Sequence, residues 1–323
     1  MSPGRCAFID IGTNAILCLI VEIRGTGRFR VLEDLAEIPR LGEGVDRTKR
    51  IGAAGERRSA EVIEGYLSQC RNLGVEEIIA VGTSALRDAH NSGEVRSRLS
   101  ARLGFEIRVI SGEEEAAYSF LSVQRGLPLA GRELLVIDVG GGSTEFIRGN
   151  DLGMTEALSV DLGAVRLTER LLRSDPVKPE EYEGMVALID RELPPLRERW
   201  RKSGWTLTLV GIAGTFTTLA AVEKKLVRYS HSEVHGSRLT LAEVRRQVRL
   251  FLDKTIGERK EIPGLEPKRA DVILAGACLI ERIMTFFHTQ DVTVSDQGVR
   301  YGLLYEQLDR LTYREKEGLP GLP

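Results

Sequence analysis

The stretch Phe8-Ile-Asp-Ile-Gly-Thr-Asn14 decides the fold, because it returns later in the chain as Val136-Ile-Asp-Val-Gly-Gly-Gly-Ser-Thr144. Each copy has the pattern of a buried strand that ends in an aspartate, then a glycine turn with hydroxyl or amide side chains, then a returning strand. Each copy opens one half of the chain. The repeat therefore predicts two duplicated domains that face one another across a cleft.

Around the repeat, strand and helix patterns alternate over the 323 residues, which predicts an α/β protein. The length by itself favours two domains. The glycine- and proline-containing stretch Gly126-Leu-Pro-Leu-Ala-Gly131 is the predicted boundary. Apolar spacing predicts helices over residues 56–72, 164–173, 179–201, 241–254 and 268–287. It predicts strands over 77–81, 106–110, 206–210 and 292–294, and the tail 318–323 is expected to be disordered.

The composition narrows the class of protein. Hydrophobic residues make up 42% and charged residues 28%, as in an ordinary soluble domain, and the net charge is -2. A general nucleic-acid binder needs a basic face, so nucleic acid is not an expected partner. The apolar run 272–280 is too short to cross a bilayer and no signal peptide is visible, so we expect a cytoplasmic protein without membrane contact. The cysteines are expected to be buried, reduced thiols: Cys6, Cys18, Cys70 and Cys278.

The two glycine turns are candidate anion sites. Glycine permits positive φ and lets an anion approach the backbone, and successive N–H groups in such a turn form an anion-binding concavity. One such turn alone is more consistent with a plain β-hairpin, but two matched copies, each after an aspartate, favour phosphate binding. The candidate phosphate-binding residues are Gly12, Thr13, Asn14, Gly140, Gly141, Gly142, Ser143 and Thr144.

Three carboxylates flank these turns. Asp10 and Asp138 stand where an apolar strand meets its turn, and a carboxylate there is costly without a cationic partner. Magnesium bound to one or two carboxylates, phosphate oxygens and waters would satisfy that need. Glu145 follows the second turn and could complete the shell. The sequence thus predicts a Mg²⁺ site, which Mn²⁺ could also fill, with Asp10, Asp138 and Glu145 as ligands.

The run Glu113-Glu114-Glu115 follows Ser111 and opens a predicted helix. Ser111 and Glu114 have the spacing of a capping box, and acidic residues are favourable in a first helical turn. Capping explains Glu114 but does not require Glu115. The functional interpretation is that one glutamate of the run faces the cleft and orients a water against phosphorus. We therefore keep Glu114 and Glu115 as candidate catalytic residues.

Arginine suits phosphate because its planar fork can bind two oxygens. The candidates are Arg40, Arg87, Arg269 and Arg300, although any single arginine is more often a solvated surface side chain. His231 and His235 have a spacing that could bind zinc on a helix. Their segment has the pattern of a loop and offers no third ligand nearby, so a zinc site is disfavoured.

Taken together, these motifs resemble the exopolyphosphatase and guanosine pentaphosphate phosphohydrolase (Ppx/GppA) family of the actin, sugar kinase and heat-shock ATPase superfamily. The resemblance covers nearly the whole chain and depends on the order and spacing of the motifs. Besides the two repeat copies they are Arg40-Leu-Gly-Glu-Gly44, Gly82-Thr-Ser-Ala-Leu-Arg-Asp88, Val109-Ile-Ser-Gly-Glu-Glu-Glu115, Gly214-Thr215, Val234-His-Gly236, Ile262-Pro-Gly-Leu265, Arg269-Ala-Asp-Val-Ile273 and Ser295-Asp-Gln-Gly-Val-Arg-Tyr-Gly302.

The resemblance implies two actin-like (RNase H-like) domains over residues 1–126 and 127–297 with a cleft between them, and a last helix, 298–313, that packs back on the first. It implies that Glu115 positions the attacking water, that Asp138 and Glu145 serve the metal, and that the glycine turns hold phosphates. We add Arg87, Gly214, Thr215 and Arg269 to the predicted phosphate-binding set. Many members carry Arg or His where this chain has Leu17.

The expected activity is hydrolysis of a terminal phosphate from inorganic polyphosphate or from guanosine pentaphosphate, a nucleotide of the stringent response. A kinase or ATPase of the same fold is one alternative, since it also needs a metal and phosphate turns. A sensor that binds guanosine tetra- and pentaphosphate without turnover is the other. Retention of Glu115, Asp138 and Glu145 favours turnover. Family analogy also suggests a homodimer.

Overall fold

The computed structural model describes residues 4–25, 27–193 and 207–316, and its contacts divide them into two compact units. Unit 1 runs as far as Ser122 and resumes at Val299, and unit 2 is Val123–Gly298. The observed division lies inside the helix Gly112–Gly126, not in the glycine-rich loop that follows it. The reason is that the last turn of this helix bonds within unit 2, where Gln124 Nε2 donates to the carbonyl of Asn150 at 2.9 Å.

Unit 1 contains a five-stranded sheet in the order β3-β2-β1-β4-β5. β1 to β3 form an antiparallel meander, and β4 and β5 extend it in parallel from β1. The strands are β1 Arg5–Ile11, β2 Ile16–Ile23, β3 Phe29–Glu37, β4 Glu77–Gly82 and β5 Ile107–Val109. The helices are α1 Val45–Thr48, α2 Ala53–Asn72, α3 Ser84–Asp88, α4 Ser92–Leu103 and α5 Gly112–Gly126.

Unit 2 contains a six-stranded sheet in the order β10-β11-β9-β6-β7-β8. Its strands are β6 Leu134–Val139, β7 Thr144–Asn150, β8 Gly153–Val160, β9 Thr208–Ile212, β10 Arg238–Thr240 and β11 Asp291–Val294. Its helices are α6 Ala164–Leu171, α7 Pro179–Glu192, α8 Ala213–Glu223, α9 His231–Val234, α10 Leu241–Leu252, α11 Ile256–Arg259 and α12 Ile273–Phe286, with a 3₁₀ turn at Pro267–Arg269. The last helix, α13 Val299–Lys316, returns to unit 1.

Five strands of each sheet share one topology, as the sequence repeat predicts, and β10 adds a sixth strand at the edge of the sheet in unit 2. The meander β8-β7-β6 of unit 2 corresponds to β3-β2-β1, and β9 lies parallel to β6 as β4 lies parallel to β1. The register also corresponds, because Asp10 lies opposite Leu17 and Asp138 lies opposite Glu145. Each repeat copy thus forms the central strand and the first turn of its own sheet.

Both faces of β1 are covered, which explains why its residues are apolar without alternation. Ala7, Ile9 and Ile11 point into a core built with α2 and α4. Cys6 and Phe8 point into a second core that contains residues of α13, among them Tyr301, Leu304 and Leu308. A Cβ placed on Gly302 would lie 2.2 Å from the carbonyl oxygen of Tyr118, so α13 packs backbone to backbone on α5.

Most predicted elements are present, with some differences. The strands β3, β8 and β10 were not predicted. The segment predicted as a loop around His231 contains the short helix α9. The predicted helix 268–287 begins only at Ile273, because Pro267–Arg269 forms a separate 3₁₀ turn. Gly74 ends α2 as predicted, in the left-handed region with φ of 62°. Parts of the predicted helix 179–201 and strand 206–210, and the whole predicted tail 318–323, lie outside the described residues.

The four cysteines are buried and unpaired, as predicted. Among the described residues, no helix combines the length and the apolar character needed to cross a bilayer.

Candidate active site

The two glycine turns are closed by the same hydrogen bond. The N–H of Gly12 donates to the carbonyl of Ala15 at 3.0 Å, and the N–H of Gly140 donates to the carbonyl of Ser143 at 3.0 Å. A Cβ on Gly12 would lie 2.9 Å from that carbonyl oxygen, and one on Gly140 would lie 3.1 Å from its own. An added Cβ would force a shift at Gly12 and would be tight at Gly140, so both turns favour glycine for the same steric reason. The two turns are therefore equivalent in structure as well as in sequence.

Two further segments hold the first turn. The N–H of Arg40 donates to the carbonyl of Asn14 at 3.0 Å, and the N–H of Gly42 donates to that of Thr13 at 2.8 Å. The hydroxyls of Thr13 and Ser84 are 2.6 Å apart. Arg40 has φ of 57°, a conformation that non-glycine residues adopt rarely and that tends to occur at functional sites. Ser84 was missed in the sequence, although it begins the helix that follows β4, the strand beside β1.

Glu115 and Arg87 are brought together beside this turn. Arg87 Nη1 donates to Glu115 Oε2 at 2.9 Å and to the carbonyl of Ile110 at 3.3 Å. The Glu115 side chain is only 19% exposed. Burial raises the pKa of Glu115, while the hydrogen bond and charge of Arg87 act against that rise. Glu115 is thus a carboxylate held in one orientation, with an affinity for protons above that of an ordinary glutamate.

Asp10 lies near Glu115 in the same unit. Burial, and then the negative charge of Glu115, raise its pKa to about 7. Its Oδ1 atom is buried and has no hydrogen-bond partner among the described residues. A buried acceptor without a donor costs free energy, so this atom needs a proton or a cation.

Glu114 has a different environment from Glu115. Its Oε2 accepts the N–H of Ser111 at 2.8 Å, and its own N–H donates to Ser111 Oγ at 3.1 Å, which completes the predicted capping box. Its Oε1 accepts a hydrogen bond from Arg108 at 2.6 Å. The hydrogen bond from the Ser111 backbone contributes most to a lowered pKa of Glu114. Glu114 therefore caps α5, and the geometry favours Glu115 as the residue available for chemistry.

The second turn is supported by the start of α6. The N–H groups of Ala164 and Val165 donate to the carbonyls of Gly140 and Gly141 at 3.0 and 2.9 Å. A Cβ on Gly163 would lie 2.3 Å from the carbonyl oxygen of Gly141, so the two backbones touch. The buried hydroxyl of Thr144 donates to the carbonyl of Leu162 at 2.6 Å. These backbone contacts with the start of α6 fix the conformation of the second turn.

Asp138 and Glu145 are cross-strand neighbours on β6 and β7. Like charges placed directly opposite one another destabilise a sheet unless something compensates them. Glu145 Oε1 accepts the hydroxyls of Ser143 at 2.6 Å and Ser159 at 2.9 Å. Ser159 lies on β8, an unpredicted strand, so it was missed.

A magnesium ion fits part of this donor set. Hard oxygen donors are the ligands it prefers. Within unit 1, the buried, unpartnered Oδ1 of Asp10 is one such donor. Within unit 2, taken by itself, Asp138 and Glu145 supply two neighbouring carboxylates. Within residues 4–25, 27–193 and 207–316, no group of three or more His, Cys, Asp or Glu side chains is arranged to hold a metal ion. Magnesium commonly takes only one or two protein carboxylates.

The predicted phosphate-binding residues Gly214, Thr215 and Arg269 lie together at the corner between β9 and α8. A Cβ on Gly214 would lie 2.2 Å from Arg269 Nη1, so this guanidinium covers the first turn of α8. Thr215 is buried one residue further along the helix. Ala213, at the corner itself, has φ of 67°. A helix N-terminus attracts anions, and the arginine placed on it adds a full positive charge.

Arg300 does not belong with the phosphate candidates. Its Nε and Nη2 atoms bind Asp34 at 2.9 and 3.1 Å, and the two side chains are only 6% and 5% exposed. The hydroxyl of Tyr301 also donates to Asp34 at 3.0 Å. This buried pair attaches α13 to β3 within unit 1, so the role of Arg300 there is structural.

The two histidines are engaged separately. His235 Nδ1 accepts the N–H of Asp296 at 3.3 Å, which assigns the proton to Nε2, and Nε2 donates to the carbonyl of Gly126 at 3.0 Å. His231 Nδ1 hydrogen-bonds the carboxylate of Asp296. Each imidazole therefore has a local structural role in unit 2.

Comparison with known proteins identifies the family. The model of the Ppx/GppA phosphatase family matches residues 19–311. The chain belongs to the Ppx/GppA phosphatase family. Exopolyphosphatase 2 of Mycobacterium tuberculosis is 33% identical over 316 residues, which cover 94% of this chain and 98% of that protein. The bifunctional 3-dehydroquinate synthase/phosphatase of Fusobacterium nucleatum is 32% identical over 311 residues, covering 94% of this chain and 46% of that protein, so the chain spans about half of that relative.

Solved structures of the Ppx/GppA family agree with the fold. An exopolyphosphatase from Cytophaga hutchinsonii has a TM-score of 0.87 and 30% identity, covering 95% of this chain and 98% of that one. The Aquifex aeolicus family member has a TM-score of 0.79 and 32% identity, with coverages of 95% and 98%. The expected α/β fold with two actin-like domains is confirmed by these matches, and membership of the family identifies the chain as a phosphatase.

Proposed function

We propose that this protein is an exopolyphosphatase, which removes the terminal phosphate of inorganic polyphosphate by attack of water. The single observation that carries the proposal is the separation of Glu115 from its neighbour Glu114. Glu114 is engaged in a capping box, whereas Glu115 is held by Arg87 beside the first glycine turn. Relatives that match over nearly their whole length are named exopolyphosphatases, which supports the same substrate class here.

In the proposed reaction Glu115 accepts a proton from the attacking water. The water oxygen forms a bond to the terminal phosphorus, and the bond from that phosphorus to the bridging oxygen breaks. The products are inorganic phosphate and a chain shortened by one unit, and the leaving oxygen carries away the negative charge. A raised pKa suits Glu115 to this role, because a general base works best when its pKa approaches the working pH.

Arg87 has a second use in this scheme. Its guanidinium fixes one oxygen of Glu115 at 2.9 Å and so orients the other towards the water. The positive charge also keeps Glu115 ionised in part, since it opposes the effect of burial. We therefore assign Arg87 to the positioning of the base as well as to the predicted phosphate-binding set.

The phosphates would be held by the backbone of the two glycine turns and by the Gly214–Arg269 pair. The first turn places the hydroxyls of Thr13 and Ser84 together, and the α8 corner offers a helix N-terminus under a guanidinium. At positions 12 and 140 glycine lets the turns close on the carbonyls of Ala15 and Ser143, and at position 214 it lets the Arg269 guanidinium lie against the helix.

Magnesium is the proposed cofactor, with Mn²⁺ as a substitute. The residues that would serve it are Asp10 within unit 1 and the pair Asp138 and Glu145 within unit 2. When bound, it would neutralise part of the charge on the phosphate chain. The chain's own contribution is to hold these oxygens in place, Glu145 through Ser143 and Ser159 and Asp138 through the strand register.

Guanosine pentaphosphate is proposed as a parallel, weaker substrate, because the arrangement supports recognition of phosphates rather than of a base. A sensor without turnover is disfavoured, since Glu115, Asp138 and Glu145 are all present. A cytoplasmic location, a link to the stringent response and a homodimer remain proposals of the same kind.

Phosphate release from long-chain polyphosphate and from guanosine pentaphosphate, measured side by side, tests the proposal. We expect Glu115→Gln to lose at least ~10²-fold in kcat, as is typical when a general base is removed, with substrate binding retained. Glu114→Gln is the matched control and should lose stability but keep turnover. Near-normal turnover in Glu115→Gln would refute the role of Glu115. Cleavage of guanosine pentaphosphate without any cleavage of polyphosphate would refute polyphosphate as the substrate, but the protein would still be a phosphohydrolase.

A further inference from the structure

A buried arginine lies behind the candidate phosphate-binding residue Arg269. Arg259 is only 1% exposed. Its Nε donates to the carbonyl of Phe251 at 2.7 Å and its Nη1 to the carbonyl of Ala270 at 3.3 Å. Its Nη2 is buried without a hydrogen-bond partner among the described residues. The charges of Asp175 and Asp271 act favourably on this guanidinium, but its direct hydrogen bonds go to neutral carbonyls and burial disfavours its charge. Burial of such a charge offers little net stability, so another benefit should explain it.

The two carbonyls that Arg259 binds belong to different elements. Phe251 is in the last turn of α10, where the helix dipole is negative and a cation is favourable. Ala270 directly follows Arg269 in the chain. One guanidinium therefore connects the end of a twelve-residue helix to the backbone beside the candidate phosphate ligand.

The segment between Arg259 and Ala270 runs along α8. Gly264 has φ of 90°, and a Cβ there would lie 2.3 Å from the carbonyl oxygen of Ala221, near the C-terminal end of α8. Arg269 covers Gly214 at the N-terminal end of the same helix. The segment thus spans α8 from one end to the other, and the side chain of Arg259 binds the backbone at the far end of the segment.

Arg259 makes a hydrogen bond at each end of the segment. Its own carbonyl accepts the N–H of Ile262 at 3.1 Å, which starts the first turn of the segment. Its side chain holds Ala270 at the other end, one residue after the turn in which the N–H of Arg269 donates to the carbonyl of Glu266 at 2.8 Å. Without the guanidinium, the last turn of the segment loses its connection to α10.

We propose that Arg259 is a positioning residue that fixes the Arg269 guanidinium over the first turn of α8 and so sets the affinity of unit 2 for substrate phosphates. The inference rests on the proposed function for the identity of the substrate, but the placement of Arg269 by Arg259 does not. Arg259 is itself too deeply buried to touch substrate.

A double-mutant cycle tests this proposal. Arg259→Met should lower kcat/KM for polyphosphate by ~10- to 100-fold, the scale expected when a binding group is displaced by about 1 Å, and mainly through KM. Arg269→Met should lower it at least as much. If Arg259 acts through Arg269, the double variant should be no worse than Arg269→Met alone. Arg249→Met, an exposed substitution on α10, is the matched control and should change nothing.

Calorimetric binding of pyrophosphate to the same variants separates this proposal from the proposed function. If the wild-type protein cleaves neither substrate, the proposed function fails, while the cycle on pyrophosphate affinity still decides the role of Arg259. Losses that multiply in the double variant would overturn the proposal, because Arg259 would then act independently of Arg269. An unchanged KM and pyrophosphate affinity in Arg259→Met, with only a lower Tm, would overturn it too.

Arg259→Lys covers the case in which the methionine variant does not fold. Lysine keeps the charge but places a single ammonium where the guanidinium reaches two carbonyls. We expect an intermediate KM that responds to Arg269→Met in the same non-additive way. A lysine variant with wild-type KM would show that the two-carbonyl connection is unnecessary and would overturn the proposal.

Discussion

Replacement of Asp10 by Asn should stabilise the metal-free protein, and increasingly so as the pH rises. The pKa of Asp10 is about 7 in the folded protein, against an ordinary value of 3.8. The folded state therefore binds the proton more tightly than the unfolded chain does. Binding of this proton stabilises the folded wild-type protein fully below pH ~4. The stabilisation is lost progressively as the pH rises to about 7, and above that pH no more is lost.

The size of the effect follows from the shift. A shift of about three pKa units corresponds to roughly 4 kcal/mol at ~1.4 kcal/mol per unit. The Asp10 side chain is only partly buried although its Oδ1 is fully so, and solvent screening reduces the figure to about 2 kcal/mol. For a unit of this size, Asp10→Asn should raise the apparent Tm by roughly 4–8 °C above pH 8.

The assay is thermal unfolding between pH 5 and pH 8.5 with a chelator present. The Tm difference between Asp10→Asn and the wild type should be about a third of its full value at pH 5 and should reach the full value by pH 8. Asp309→Asn, an exposed substitution on α13, is the control and should show no such trend. A pH-independent difference, or a wild type that is the more stable protein at pH 8.5, would refute the reasoning that Asp10 is a buried carboxylate without a cation.

Three further outcomes follow from the same structure. Asp34→Asn leaves Arg300 buried without its anion and should lower the free energy of unfolding by roughly 3–5 kcal/mol in a urea titration. Asp138→Asn should abolish most phosphate release, and excess chelator should do the same to the wild type; full turnover in chelator would contradict the metal proposal. Gly163→Ala should distort the second turn, because its Cβ would lie 2.3 Å from the Gly141 carbonyl oxygen, and we expect a larger loss of phosphate release than of helix content by circular dichroism.

The sequence was most informative where a local rule leaves one solution. The repeated Asp–Gly turns predicted two corresponding sheets, because a glycine favours the close approach to the carbonyls of Ala15 and Ser143 in each turn. The Ser111–Glu114 spacing predicted a capping box that is formed. The strand β3 was missed because it is an edge strand with charged residues, which show no apolar alternation.

The parts of the site that could not be predicted depend on contacts between distant residues. Nothing in the run of three glutamates shows which one faces Arg87, since that depends on how α5 lies relative to α3. Arg259 is indistinguishable in the sequence from a surface arginine, because its burial depends on α10 and on the segment around Ala270.

The register of the two repeat copies gives the two turns different electrostatics. Asp138 faces Glu145 across the second turn, but Asp10 faces Leu17 across the first. In unit 1 the aspartate therefore stands opposite an apolar side chain, and burial and the charge of Glu115 raise its pKa. In unit 2 it stands opposite a second acid whose carboxylate accepts two serine hydroxyls. A repeat that reproduces a backbone turn thus does not reproduce its charge, and the two turns are not interchangeable as anion or cation sites.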